Sequence, residues 1–194
     1  MPNEFDIKSN DQFVRGWVID EKICDDLVSY FESHPDKRNG VVNNKHGQEV
    51  NNVMKKSTDI SIPPYCQDEV FVRYMKALGS VIQEYKKVFP SLNSLAHWNI
   101  KESINVQRYL PNEGFFAWHC ERSSYSASDR LLVFTTYLND VVDAGETEWL
   151  HQKLLVSPRK GLTVITPVDW MYTHRGVTSP TETKYITTGW ISYV

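Results

Sequence analysis

The sequence contains no apolar run long enough to cross a bilayer; the longest, such as LLVF and LTVI, are strand-sized. Long basic runs are missing too. With a net charge of -3 the chain offers no bulk attraction to nucleic acid or to an anionic membrane. Cysteine is scarce. Cys24, Cys66 and Cys120 are widely spaced, odd in number and without a CxxC, which argues against a disulfide framework or a Cys-based zinc site and fits a reducing compartment. Neither an internal repeat nor a low-complexity segment is found. The opening MPNEFDIKSNDQ is polar and acidic, unlike a secretory signal or an Arg-rich transit peptide, so the expected location is cytoplasmic.

What is present is an ordinary globular composition, 41% hydrophobic and 23% charged over 194 residues, expected to form one domain with a substantial core. FVRGWVI (13–19) predicts an opening strand, followed by a helix from about Asp20. There Ile23, Leu27, Val28 and Phe31 share a face and Asp20 is placed as the N-cap. Residues 34–52 are polar, rich in Asn, Lys and Gly, and almost without apolar periodicity, which predicts a mobile functional loop. VMKKSTDISI predicts another strand. A second helix is expected over 68–89, with Phe71, Met75, Leu78, Ile82 and Tyr85 at spacings of three and four.

Beyond residue 100 the chain becomes a series of short β-rich runs. These are INVQRYL, FFAWHCE, RLLVFTTYLN, TEWL, KLLVSP, GLTVITP, MYTH and KYITTGWISYV, separated by turn-like segments. Eight short strands after two helices predict a mainly β, α+β fold: a sandwich or barrel with helices packed on one face. Residues 1–99 would be helical support and loop, and 100–194 the core strands; the composition shift marks a change of layer.

FFAWHCE carries the chemistry. In a strand, side chains alternate faces, so His119 and Glu121 point the same way and Cys120 the other. An HxE pair alone is far more often a surface ion pair than part of a metal site. His174, at the end of DWMYTH, supplies a third ligand. Two His and one carboxylate hold one face of an octahedral metal and leave three positions open, the arrangement of non-haem Fe(II) oxygenases. A 2-oxoglutarate cosubstrate would also need a fixed cation for its distal carboxylate, and Lys184, ten residues after His174, is placed for it.

These residues resemble the signature of the 2-oxoglutarate/Fe(II)-dependent dioxygenases: H-x-[D/E], a distal His, and a Lys or Arg about ten residues later. The chain looks most like their prolyl 4-hydroxylase branch. Further matches are Tyr109 in QRYLPNEGFFAWH, the run TTYLNDVVDAGETEW with its GGET-like turn, RKGLTVIT, and the closing KYITTGWISY. Two departures are Glu121 where Asp is usual, adding one methylene of reach, and AGET for GGET.

The resemblance implies a double-stranded β-helix (jelly roll) with supporting N-terminal helices, using Fe(II), 2-oxoglutarate and O2, with ascorbate as a reductant. It makes His119, Glu121 and His174 the iron ligands. Lys184 would pair with the distal carboxylate of 2-oxoglutarate and Tyr137 would hydrogen-bond to it. Tyr109 and Thr188 would line the same pocket, and Trp190 would wall it. The implied reaction is hydroxylation of a prolyl residue in a peptide or protein, coupled to oxidative decarboxylation of 2-oxoglutarate to succinate and CO2. A free amino acid or other small-molecule substrate, or a cupin-like metalloprotein without 2-oxoglutarate, are the alternatives. The expected state is a monomer or weak homodimer without nucleic-acid or membrane partners. Cys120 reads as a buried small hydrophobe, and His34, His46, His97 and His151 as surface or structural residues.

Overall fold

The computed structural model describes residues 3–7, 13–44 and 47–194. In chain order its elements are β1 (Asn3–Phe5), β2 (Arg15–Val18), α1 (Glu21–Ser33), β3 (Arg38–Asn39), β4 (Val42–Asn44), β5 (Gly47–Glu49), β6 (Lys55–Lys56), β7 (Thr58–Ile62) and α2 (Glu69–Val88). Then follow β8 (Trp98–Asn99), β9 (Ile104–Tyr109), β10 (Gly114–Phe115), β11 (Arg130–Tyr137), β12 (Thr147–Trp149), β13 (Leu154–Val156), β14 (Leu162–Pro167), β15 (His174–Gly176) and β16 (Lys184–Tyr193).

The main sheet runs β1-β2-β14-β11-β16-β9-β7-β3, with β8 also on β16, and every pairing is antiparallel. A smaller sheet, β13-β12-β15, and the pair β10-β6 complete the jelly roll. Alternation along the strands divides the main sheet's side chains between two layers. On one face Ile60, Ile104, Val106, Phe134, Ile165 and Ile191 pack against Leu27 and Phe31 of α1 and Phe71, Leu78 and Val81 of α2. On the other, Tyr137, Leu162 and Val164 meet Trp149, Leu154 and Val156 of the smaller sheet.

Both helices form where apolar spacing predicts them. Asp20 caps α1 by accepting from the Lys22 N–H at 2.9 Å. The buried face of α1 is set by Cys24, Leu27 and Phe31, with Ile23 and Val28 at its margin; Tyr74 and Val81 join Phe71, Leu78 and Tyr85 on α2. Tyr74 sends its hydroxyl into the sheet, 2.5 Å from Thr187 Oγ1 and 3.1 Å from Thr136 Oγ1, and Thr136 in turn lies 2.8 Å from Thr163. Opposite Phe134, Gly189 is obligatory: a Cβ there would lie 2.6 Å from the Phe134 ring.

Three expectations are corrected. Residues 34–52 contain three short strands: β3 pairs with β7, and β4 with β5 forms a hairpin, together a finger beside the sheet. Strands of two or three residues are too short to show alternation. FFAWHCE is not a strand beyond Phe115. The Phe116 and Ala117 N–H groups both donate to Met54 O, and His119 forms an isolated bridge with His174. MYTH is likewise a single 3-10 turn, Trp170–Tyr172, leading into β15.

Candidate active site

The irregular backbone around residue 119 gathers the three predicted ligands. His119 and His174 exchange both main-chain hydrogen bonds, at 3.0 and 2.8 Å, and the Glu121 N–H donates to Val168 O at 3.2 Å. Segments distant in sequence are thereby tied edge to edge. The His119 and His174 ring centroids lie 4.4 Å apart, and both Nε2 atoms face Glu121 Oε1, at 3.5 and 3.3 Å. One nitrogen or oxygen from each of the three residues falls within 4.8 Å of the others.

The tautomers follow from the other ring nitrogens. His119 Nδ1 lies 2.9 Å from Ala117 O and His174 Nδ1 2.9 Å from Tyr172 O. A carbonyl can only accept, so Nδ1 carries a hydrogen in both rings and Nε2 is the atom turned toward Glu121: a donor to the carboxylate when the ring is protonated, a lone pair for a metal when it is neutral. Phe115 stacks on His119 with centroids 3.7 Å apart, fixing the ring plane. Burial, with the neighbouring His174, lowers the His119 pKa. Burial also opposes a charge on Glu121, yet hydrogen bonding and charge from the two imidazoles hold its carboxyl well below the ordinary range. His174 is raised despite burial because Glu121 faces it. Two imidazole nitrogens and an ionised carboxylate form a donor set suited to a divalent first-row metal.

Lys184 opens β16 in the same cavity and is 5% exposed. Its Nζ donates to Gly145 O at 2.7 Å and lies 5.3 Å from the centre of the Tyr109 ring. Among the described residues no carboxylate pairs with it. Burial, only partly offset by Glu146, lowers its pKa to about 8. A buried ammonium satisfied by a single carbonyl has donors left for an anion, and the distal carboxylate of 2-oxoglutarate fits that vacancy in chemistry. The AGET turn supplies the carbonyl, with Ala144 at φ 61° and Gly145 at φ 84°.

The remaining predicted residues all line the cavity, of about 770 Å³. Their hydrogens are already engaged to different degrees. Tyr109 donates to Gln107 Oε1 at 2.8 Å, and Thr188 donates to Phe134 O at 3.1 Å. The Tyr137 hydroxyl lies 2.6 Å from Thr147 Oγ1, so one hydroxyl of that pair can still turn to a ligand. Trp190 does more than wall the site: its Nε1–H donates to Glu121 Oε2 at 2.7 Å.

Sequence reading named the 34–52 loop as functional but missed the polar network beside it in the cavity. Lys55 is buried and pairs with Asp59 at 2.6 Å; Asp59 also accepts from Ser57 and from Gln107. Arg38, Asn39, Val41 and Val42 of the finger line one side and Ser123 and Ser124 another. Only the strand alternation of TDISI hinted at Asp59. His34 also lines the cavity, whereas His97 lies in a separate groove against α2. His151 is exposed, its ring 5.9 Å from that of Trp170, and His46 lies outside the described residues. Cys120, expected to be buried, is partly exposed and lines the cavity, because the segment carrying it is not a strand.

Residues 104–192 match the sequence profile of the 2OG-Fe(II) oxygenase superfamily. No curated protein matches the chain in sequence. Among solved structures, the chain is similar to a viral collagen prolyl hydroxylase from Paramecium Bursaria Chlorella virus-1 in its 2OG complex, at TM-score 0.70 and 17% identity, covering 96% of this chain and 99% of that one. It is also similar to a Pseudomonas putida prolyl-4-hydroxylase, at TM-score 0.69 and 16% identity over 93% and 92% of the two chains. A third is a Trichoplax adhaerens prolyl hydroxylase in complex with a hypoxia inducible factor oxygen degradation domain peptide fragment, at TM-score 0.68 and 14% identity over 89% and 77%. At these identities the likeness establishes the fold.

Proposed function

We propose, from the match of residues 104–192 to the 2OG-Fe(II) oxygenase superfamily, that the protein hydroxylates a prolyl residue in a peptide or protein. One observation carries the reading. The His119–Glu121–His174 cluster opens onto the same cavity as a buried lysine that pairs with no carboxylate among the described residues.

His119 Nε2, His174 Nε2 and Glu121 Oε1 would hold the iron. With 2-oxoglutarate and O2, that iron supplies oxidative decarboxylation to succinate and CO2 and insertion of one oxygen atom into a substrate C–H bond. The protein's own residues orient and shield. Lys184 receives the distal carboxylate of the cosubstrate, its charge held in place by Gly145 O. The Tyr137–Thr147 hydroxyl pair adds one donor beside it, while Thr188 and Tyr109 contribute walls. Phe115 and Trp190 border the ligand cluster with aromatic surface and limit water there.

A peptide substrate is supported by the cavity's extent. About 770 Å³ leaves ample room beyond a five-carbon dicarboxylate, and its walls reach from the finger to the segment after Glu121. The prolyl assignment draws on the named activities of the structural neighbours, which act as prolyl hydroxylases.

The test has two stages. Anaerobic addition of Fe(II) and then 2-oxoglutarate to the apoprotein should produce a visible charge-transfer band, absent from His174→Ala. Aerobic turnover with proline-containing peptides should then yield succinate and a peptide heavier by one oxygen at proline. Succinate formation stimulated only by free amino acids would replace the peptide assignment with a small-molecule one. Absence of the band would remove the 2-oxoglutarate reading.

A further inference from the structure

Glu121 reaches one methylene further than the usual aspartate, and a longer carboxylate has one more torsion to fix. Its two oxygens are treated differently. Oε1 faces both imidazoles, whereas Oε2 accepts from Trp190 Nε1–H at 2.7 Å. Trp190 is itself held. The Arg130 guanidinium lies 3.6 Å from the centre of its ring and donates through NH1 to Glu121 O at 3.0 Å. Arg130 is in turn gripped by Glu102, Nε to Oε1 at 2.8 Å and NH2 to Oε2 at 2.5 Å.

We propose that Trp190 and Arg130 are positioning residues for Glu121: the indole N–H withdraws Oε2 and presents Oε1 alone to the metal, while Arg130 holds the indole plane and the Glu121 main chain together. The inference rests on the metal-site reading above and deepens it. Without the indole bond, Glu121 could swing to offer both oxygens or turn away from the imidazoles. Arg130 is buried, its charge matched by Glu102 and, at 3.9 Å, by the same Oε2 of Glu121 that the indole holds, so the stack is rigid. An aspartate at 121 would withdraw its carboxylate by about 1.5 Å and lose Trp190. The indole bond and the Glu ligand therefore form one unit.

The test is a double-mutant cycle read by Mn(II) binding to the apoprotein, with free Mn(II) followed by electron paramagnetic resonance. Trp190→Phe should weaken Mn(II) binding roughly tenfold or more. In a Glu121→Asp background the same replacement should change affinity less than about twofold, because the bond it removes is already gone. Equal losses in both backgrounds would reduce Trp190 to a packing residue, and wild-type affinity in Trp190→Phe would overturn the proposal outright. Should Trp190→Phe not fold, the indole 15N–1H spectrum reads the same bond. One of the six tryptophan signals should lie at low field and move upfield in Glu121→Asp; if none moves, the proposal fails. Mn(II) binding that survives His174→Ala would overturn the site reading itself, and with it this inference.

Discussion

Lys184 carries its ammonium into the cavity against burial that lowers its pKa from 10.5 to about 8, a cost on the order of 3 kcal/mol. Between pH 8 and 10.5 the unfolded chain keeps a proton that the folded chain has released. Stability therefore rises with pH across that window, and the full cost is present below it. Lys184→Met should raise the thermal midpoint of the apoprotein at pH 7 and abolish the stabilisation that 2-oxoglutarate confers, both measured by calorimetry. In the wild type, 2-oxoglutarate affinity should fall as pH rises past about 8, when the free protein loses the proton its ligand needs. Flat affinity from pH 7 to 9.5 would contradict the role given to Lys184. Ala144 is a second single-residue case. It sits at φ 61°, where a Cβ costs about 1 kcal/mol, so Ala144→Gly should be neutral to stabilising by up to that amount in a denaturant titration.

At the scale of elements, the finger is held down by a small contact. Gly40 N–H donates to Ser57 O at 2.9 Å, and a Cβ at Gly40 would stand 2.0 Å from Ser57 Oγ and 3.0 Å from the buried Lys55 stem. Gly40→Ala should unseat the finger. Peptide KM should rise several-fold while slow, substrate-free turnover of 2-oxoglutarate is kept; unchanged KM would separate the finger from substrate binding. This element was the least legible in the sequence. Its strands are too short for a period, and its hydrogen bonds go to β7, outside the segment. The opposite holds for α1 and α2, whose apolar spacing spans several turns, and for β16, where Lys184, Thr188 and Trp190 lie on one face by simple alternation. His119 and Glu121 do meet on one side, yet the strand expected to align them is absent. Main-chain bonds from His119 to His174 and from Glu121 to Val168 do that work instead, and such long-range pairing leaves no local trace. The Lys55–Asp59–Gln107 network was hidden for the same reason: each member looks like a surface polar residue until three separate segments converge.

For the whole molecule, the helices and the sheet that bears the site are joined through hydroxyls as well as packing. Tyr74→Phe removes the group that Thr136 and Thr187 share, inside a fully buried layer. The expected loss is about 1–3 kcal/mol of folding stability, read from the denaturation midpoint, with metal affinity unchanged because neither threonine faces the cavity. None of the described helices is long and apolar enough to cross a membrane.

Strand β16 places Lys184 near one end and Trp190 six residues on, with both side chains in the cavity. At about 3.3 Å per residue that interval is roughly 20 Å, held rigid by antiparallel neighbours on both sides. The strand therefore acts as a ruler with its zero at the ammonium. Neither residue can slide along the strand without breaking that ladder, so the buried ammonium and the indole that bonds Glu121 keep a fixed separation. A one-residue slip of β16 would turn both side chains out of the cavity at once, so the two ends of the cavity are gained or lost together.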